Sequence, residues 1–382
     1  MRVADLFAGC GGMSAGFQSA DYEVVMAAEK WDAARDVYNA NFDHDASAID
    51  LSNLVEATYR VNRENPDIIV GGPPCQDFSA AGQRRETDRA DLTMVFAEIV
   101  RAVRPQWFVM ENVGAVVGSA AYSHARPTLS SAGYGLTEVV LDASFFGVPQ
   151  IRKRFFCIGC LGEEDGFLKR QLEDVRRENR MSVRDYLGDE FGIDVYYRHP
   201  RNWGRKAIYS IDEPSATVRS TNRPISPKYR LHENDASDTL EGVRQLTPQE
   251  RARIQTFARE FAFSGTRTDI DTMVANAVPL ALAQRVGESI AIYERSRGLA
   301  DSDDDFRRWL SEERGMTPAS IGDVLSRLRR VDKLLAGREC GSDPRDTIHE
   351  LSKLPEFEHL TTSVRSHLKR AVQLQAEFRA RH

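Results

Sequence analysis

The sequence predicts an α/β protein: a Rossmann-like, mainly parallel sheet, a smaller polar region after it, and a helical extension at the end. Three observations carry this reading. Short apolar runs alternate with helix-like stretches through the first 160 residues, the pattern of a parallel sheet covered by helices on both faces. The segment 198–230 is rich in Pro, Ser, Thr and Arg. Beyond residue 301, apolar residues recur at helical spacing.

In order, "RVADLF" (2–7), "VVMAA" (24–28), "DIIV" (67–70), "WFVM" (107–110), "LTEVVL" (136–141) and "RFFCIG" (154–159) read as strands, with helices over 13–20, 32–40 and 90–103. In such sheets ligands bind outside the carboxyl ends of the strands. The pattern loosens from 161 to 243. Residues 246–260 and 275–295 read as helical again. "DSDDD" (301–305) is an acidic break, expected to be a solvated linker or a helix start. Thr317 and Pro318 suit an N-cap and first turn. Ile321, Val324, Leu325, Leu328, Val331 and Leu335 then follow at helical spacing. The expected divisions are 1–160 for the core, 161–243 for the polar region, 244–300 for a return to the core, and 301–382 for the extension.

Of the 382 residues, 41% are hydrophobic and 28% charged, an ordinary globular composition. No apolar run approaches the ~18 residues of a membrane span, and "MRVADLFAGC" is not a signal peptide. Five cysteines, an odd number in a large chain, fit a reducing cytoplasm better than a disulfide framework. The net charge of −6 means that a nucleic-acid partner needs a local basic patch.

Several stretches can carry chemistry. "DLFAGCGG" (5–12) is a strand running into a glycine turn before a helix, where Gly9, Gly11 and Gly12 let a ligand approach the backbone. Glu29 lies 20 residues after Gly9, where a Rossmann-type sheet places the acid for ribose hydroxyls. Together they suggest an adenosine-containing cofactor. The spacing is not GxGxxG, against a nicotinamide. "GGPPCQDFS" (71–79) puts Cys75 on a stiff corner after a strand; its thiol is either a small buried hydrophobe or a reactive group. "ENV" (111–113) follows another strand. "QIRKR" (150–154) sets Arg152 and Arg154 two apart, so that on a strand both point to one face. "CIGC" (157–160) has metal-like spacing but no second pair. His199 and His232 have no ligand-like spacing, and no metal is assigned.

Taken in order, these stretches over residues 1–295 resemble the DNA (cytosine-5) methyltransferases. "DLFAGCGG" looks like the cofactor loop, Glu29 the ribose acid, Asp50 in "AIDLSN" the acid near the adenine, "GGPPCQDFS" the nucleophile loop, "ENV" the glutamate motif and "QIRKR" the paired arginines. "RQLTPQERARIQTF" (244–257) is similar to the buttress helix, and "ANAVP" (275–279) resembles the asparagine motif. The resemblance implies an S-adenosylmethionine-dependent methyltransferase sheet with a target-recognition domain over 161–243. It implies catalytic roles for Cys75, Glu111, Arg152 and Arg154. It implies cofactor contacts from Phe7, Gly9, Gly11, Gly12, Glu29, Lys30, Asp50, Pro74, Leu92 and Asn276. Trp31 stands where the family commonly has an acid.

The same resemblance implies duplex DNA as substrate, base flipping and a cysteine adduct at carbon 6. Gln83, Arg84 and Arg85 fall in a loop that would close over the flipped base. Segment 198–230 holds eight Lys/Arg against two acids, with Arg201, Arg205, Arg219, Arg223 and Lys228 the candidates for DNA contact. The expected setting is a cytoplasmic, nucleoid-associated monomer on DNA, either alone or paired with a cognate restriction endonuclease. A tRNA cytosine-5 methyltransferase shares the core, but its "CFT"-type motif is missing. A dehydrogenase leaves "PPC", "ENV" and "QxRxR" unexplained, and a non-enzymatic relative would lack Cys75 or Glu111. Residues 301–382 either resemble, weakly, the helical core-binding domain of phage-type integrases or form a helical bundle for packing or self-association.

Overall fold

The computed structural model describes residues 1–74, 92–202, 204–335 and 343–379. The chain forms two compact units, Met1–Tyr293 and Glu294–His382.

The first unit is built on β1 (Arg2–Leu6), β2 (Glu23–Ala28), β3 (Ala46–Ser47), β4 (Ile68–Gly71), β5 (Trp107–Asn112), β6 (Tyr134–Asp142), β7 (Gln150–Ile151) and β8 (Lys153–Leu161). Seven of these make one sheet in the order β3-β2-β1-β4-β5-β8-β6. From β1 the chain winds one way to β2 and β3, then returns to add β4 and β5 on the other side. The switch point therefore lies between β1 and β4, the place where such sheets open a ligand crevice.

Side chains alternate between two cores. Ile69, Phe108 and Met110 join one cluster, and Ile68, Val70, Trp107 and Val109 the other. This two-sided burial is why "DIIV" and "WFVM" are continuous apolar runs. One core is covered by α3 (Leu54–Arg63), α4 (Leu92–Val103) and α5 (Ala120–Ser131) through Val61, Phe96, Ile99 and Leu129. The other is covered by Phe17 of α1 (Gly12–Gln18), by Leu172 of α6 (Lys169–Asp174) and by Leu282, Val286 and Ile290 of α10 (Leu280–Glu312), the last three spaced four apart on one helix face. Cys157 and Cys160 are both buried on β8 but belong to opposite cores, so the odd spacing on a strand separates the two thiols.

The structure differs from the sequence expectation in three places. The sheet is mainly parallel, as expected, except for β8, which runs antiparallel to both β5 and β6. Only a short connection links β6 to β7 and β8, too short for the crossover that a parallel pair needs. The helices α3 and α5 were not expected: α5 carries Pro127 and small polar residues that read as loop. The "DSDDD" run lies inside α10 rather than marking a break. There Asp304 and Asp305 pair with Arg307 and Arg308 three residues on, which suits a helix surface.

After β8 come α2's partners in a third cluster. The helix α2 (Asp32–Asn39) packs through Ala34 and Val37 with α7 (Val183–Leu187), α8 (Pro248–Ile254) and α9 (Arg267–Asn276). A short hairpin of β9 (Val195–Tyr197) and β10 (Ile208–Ser210) and a two-residue strand, β11 (Ser215–Ala216), which pairs with β7, frame segment 198–230. A small cluster of Tyr197, Ala207, Ile208, Tyr229 and Val243 holds it.

The second unit contains the end of α10, α11 (Pro318–Leu334), α12 (Pro344–Ser352), α13 (Pro355–Glu358) and α14 (Thr362–Arg379). Thr317 caps α11 by accepting from Ser320 N–H, with Pro318 at the first helical position. The predicted apolar positions of α11 are buried with Phe306, Trp309, Leu310 and Leu368 in a core of this unit. Among the described residues, no helix is long and apolar enough to cross a membrane.

Candidate active site

A cleft of about 1180 Å³ opens at the carboxyl ends of β1, β2, β4 and β5. Of the ten residues expected at a cofactor, all but Gly11 line it: Phe7, Gly9, Gly12, Glu29, Lys30, Asp50, Pro74, Leu92 and Asn276. The turn after β1 is built by positive backbone angles at Phe7 (61°), Gly9 (56°) and Gly11 (95°). Phe7 is a bulky residue held in the left-handed region, a conformation rare outside glycine and found at ligand sites. A Cβ on Gly11 would stand 2.3 Å from the Phe42 ring. Its glycine is required by packing beneath the turn, which is why it does not face the cleft.

Glu29 directly follows β2 and folds back over that turn. Its Oε2 accepts from Gly9 N–H at 2.8 Å and its Oε1 from Trp31 N–H at 2.7 Å. Each oxygen keeps a second lone pair for a diol. Lys30 and Asp50 pair across the rim at 2.7 Å; with Ser52 also donating, this holds the Asp50 carboxyl at about 2. Trp31, Ile49 and Leu51 add apolar wall. At the cleft floor Asp5 is buried; its Oδ2 accepts from Ser14 N–H and Oγ–H, while Oδ1 has no partner. Burial pushes the Asp5 carboxyl up to about 7, against the opposing pull of Ser14. An apolar wall, an acid suited to a diol and an orphaned buried oxygen on the floor fit an adenosine-containing group bearing a polar tail.

The second half of the cleft carries acid and base. Glu111 ends β5, 7% exposed, and lines the cleft beside Arg154. Arg154 Nε lies 2.9 Å from Glu111 Oε1. The two groups are in close contact, but Oε1 is buried and accepts no directed hydrogen bond. Burial raises the Glu111 carboxyl, and Arg154 and Arg152 pull less strongly the other way. Gly72 leaves room for it: a Cβ there would stand 3.3 Å from Glu111 Oε2. Asn112 was not singled out in the sequence, yet its Nδ2 donates to Pro73 O at 2.9 Å and ties the "ENV" strand end to the "GGPPC" corner. An asparagine directly after the glutamate was the available signal. Pro74 lines the cleft; Cys75, Gln83, Arg84 and Arg85 lie outside the described residues.

Arg152 sits elsewhere than the paired-guanidinium reading expects. It falls between β7 and β8, and it does not line the cleft. Its guanidinium is 1% exposed and donates to Ala275 O at 2.8 Å, Ala277 O at 3.1 Å and Val218 O at 3.4 Å. Burial and Arg154 lower its pKa to about 9, so it stays charged at neutral pH. Gln150 and Gln255 complete the junction: Gln150 Nε2 donates to Gln255 Oε1 at 2.6 Å, Gln150 Oε1 accepts from Val218 N–H, and Gln255 Nε2 donates to Val274 O. The two carbonyls that Arg152 Nη2 grips flank Asn276 on the cleft wall.

The basic candidates of 198–230 divide. Arg201, Arg205, Arg223 and Lys228 are exposed. Arg219 is not: its guanidinium donates to His199 O, and its Nε is buried. Arg198 donates to Thr217 O, and Lys206 pairs with Glu213 at 2.6 Å.

Comparison with known proteins agrees with this geometry. The family description of C-5 cytosine-specific DNA methylase matches residues 1–291. The chain is 48% identical over 297 residues to the type II methyltransferase M.HindV of Haemophilus influenzae, covering 77% of this chain and 98% of that one. It is 45% identical over 294 residues to M.HgiDI of Herpetosiphon aurantiacus, covering 77% and 95%. Among solved structures, the Dnmt2 methyltransferase of S. pombe shares the fold, with a TM-score of 0.56 at 18% identity over 78% of this chain and 98% of that one. A putative DNA modification methyltransferase from an E. coli prophage does so at 0.54 and 24%, over 77% and 99%. A glycine turn, a ribose-type acid and a buried glutamate–arginine pair on one cleft, within a sequence matched from end to end of its relatives, place the chain in the C-5 cytosine-specific DNA methylase family, as a DNA (cytosine-5) methyltransferase.

Proposed function

We propose that this enzyme methylates carbon 5 of cytosine in a specific duplex DNA sequence, with S-adenosylmethionine as donor. The observation that carries the reading is the buried Glu111–Arg154 pair, set on the same cleft as Glu29. Phe7, Trp31 and Leu51 would hold the adenine, Asp50 its edge, Glu29 the ribose, and Asn276 the wall opposite. When bound, the cofactor supplies an electrophilic methyl on a sulfonium.

Carbon 5 of cytosine is a weak nucleophile until another group adds to the ring. The Cys75 thiolate forms a bond to carbon 6, and the displaced electron pair makes carbon 5 enamine-like. Burial raises the Glu111 carboxyl; in its protonated form Glu111 donates to ring nitrogen 3 and offsets the charge that develops there. Arg154 holds oxygen 2. After carbon 5 takes the methyl, loss of its proton restores the ring double bond and expels the cysteine sulfur. The target base must leave the duplex to reach Glu111, at a cost of a few kcal/mol. The exposed cations of 198–230 would grip phosphates and base edges. The names of the type II relatives support a restriction-modification setting, with a paired endonuclease and a cytoplasmic site of action.

Duplex DNA with 5-fluorocytosine at mapped target positions tests this directly. Wild type should form an adduct that survives denaturing gel electrophoresis, since fluorine blocks the final proton loss, and Cys75→Ser should form none. Methyl transfer to tRNA in preference to duplex DNA would sink the substrate assignment.

A further inference from the structure

We propose that the C-terminal unit is a second DNA-contacting surface, which grips duplex phosphates through α11 and α14 without reading sequence. The inference rests on the DNA methyltransferase reading above and assigns a role to a part that the chemistry does not require. The family match ends at residue 291, and the relative matched over 98% of its length aligns with only 297 residues of this chain. The unit nevertheless has its own apolar core, so it is a built structure and not a trailing segment.

Its charge is unevenly distributed. The helices α11 and α14 together hold eight Lys/Arg and three Asp/Glu, while the rest of 294–382 holds nine against thirteen. The two basic helices pack on one another. Their buried positions, Ile321, Val324, Leu325 and Leu328 on α11 and Leu368, Ala371 and Val372 on α14, turn inward. Arg329, Arg330 and Lys333 stand exposed on α11; Arg365 and Lys369 are half-buried on α14.

Ion pairing separates these cations from the others. Elsewhere in the unit, Arg295 apart, the described cations are matched: Arg297 with Glu294, Arg307 with Asp304, Arg308 with Asp305, Arg345 with Asp343, Lys353 with Glu350. Arg314 and Arg370 share Glu377, and Arg327 pairs with Asp323. Among the described residues, Arg329, Arg330, Lys333, Arg365 and Lys369 have no acidic partner. In a chain of net charge −6, five unpaired cations on two adjacent helices are a local field of the opposite sign. Long cations without a carboxylate, three of them fully exposed, suit a polyanion with regularly spaced charge, and duplex phosphate is the polyanion that this enzyme already handles. Phosphate contacts of this kind add affinity and not sequence choice.

The test uses the full chain with R329Q, R330Q, K333Q, R365Q and K369Q combined. Circular dichroism and thermal unfolding check its fold, and R329K, R330K and R365K combined serves as the charge-keeping control. Binding to cognate and unrelated duplexes is measured at several salt concentrations. The glutamine variant should bind both about tenfold to a hundredfold more weakly at low salt, with a slope of log affinity on log salt shallower by about two to four. Its cognate-to-unrelated ratio and its turnover on saturating DNA should be unchanged, and the lysine control should bind like wild type. Wild-type methylation of DNA with unaltered affinity and slope in the glutamine variant overturns this inference alone. A wild type that neither binds nor methylates duplex DNA overturns the activity reading, and this inference with it.

Discussion

The cleft wall and the segment 198–230 both bring polar side chains to a surface, but by different means. In the cleft, position is set by the backbone: β1, β2, β4 and β5 are parallel neighbours, so whatever follows each strand end arrives at the same crevice. Phe7, Glu29, Pro74 and Glu111 are far apart in sequence yet line one cavity. Among its described residues, segment 198–230 has one strand of a three-residue hairpin, β10, and the two-residue β11. There the side chains do the positioning. Arg198, Lys206 and Arg219 hold backbone carbonyls or a carboxylate, leaving Arg201, Arg205, Arg223 and Lys228 for solvent. A strand end converts sequence order into a site, whereas a loop-rich segment uses part of its charge to fold.

The largest effect should come from the cleft. Glu111→Gln keeps a hydrogen-bond donor but cannot be an acid, so kcat should fall on the order of a hundredfold or more. The sign of the pH dependence follows from the raised carboxyl. The protonated form is the active one, present at low pH and lost as pH rises through the raised pKa. Wild-type kcat measured across pH should therefore decline on the alkaline side, and the Gln variant should lack that limb. A Gln variant with the wild-type pH profile would assign the limb to another group.

The second effect is on stability and lies at the junction between the two regions. Arg152→Met removes a buried cation and leaves Val218 O and Ala275 O without their donor; Ala277 O keeps Gln255. The cost should be about 2–4 kcal/mol, seen as a thermal midpoint lowered by several degrees. Arg154→Met, by contrast, should reduce kcat with a smaller stability change, since its guanidinium borders the open cleft. If both substitutions act on kcat alone, the two arginines share one role after all.

Much of this architecture was legible because burial on both faces forces continuous apolar strands. The strand ends then inherit the motifs, and the cleft-lining residues follow from their order. What escaped depends on contacts that sequence spacing does not encode. The α3 stretch "LVEATYRVNR" leaves Val55 and Tyr59 exposed, which blurs its apolar face, and Pro127 disguises α5. The direction of β8 is set by the length of the preceding connection, which apolar patterning does not report. Arg152 and Arg154 look equivalent in "QIRKR", but only the fold shows that one meets carbonyls and the other the cleft. Asn112 acts through its amide on Pro73, a contact that no spacing rule announces.

The smallest expected effects lie in 198–230, and they sharpen the contrast. Arg201, Arg205, Arg223 and Lys228 are exposed, so alanine at any of them should leave thermal stability within about 0.5 kcal/mol of wild type. A residue that contacts phosphate should weaken binding to all duplexes alike and make the salt slope shallower by about one. A residue that reads a base edge should relax specificity at one position, at about 1–3 kcal/mol. Arg198 and Arg219 should behave in the opposite way. Their guanidinium groups hold Thr217 O and His199 O, so alanine there should lower the thermal midpoint first and affect DNA through loss of the local fold. Each variant is melted without DNA, then titrated with cognate and singly mismatched duplexes at several salt concentrations. If Arg219→Ala is as stable as wild type but loses discrimination at one base pair, its side chain leaves His199 to read DNA, and the division between folding and recognising cations fails at that residue.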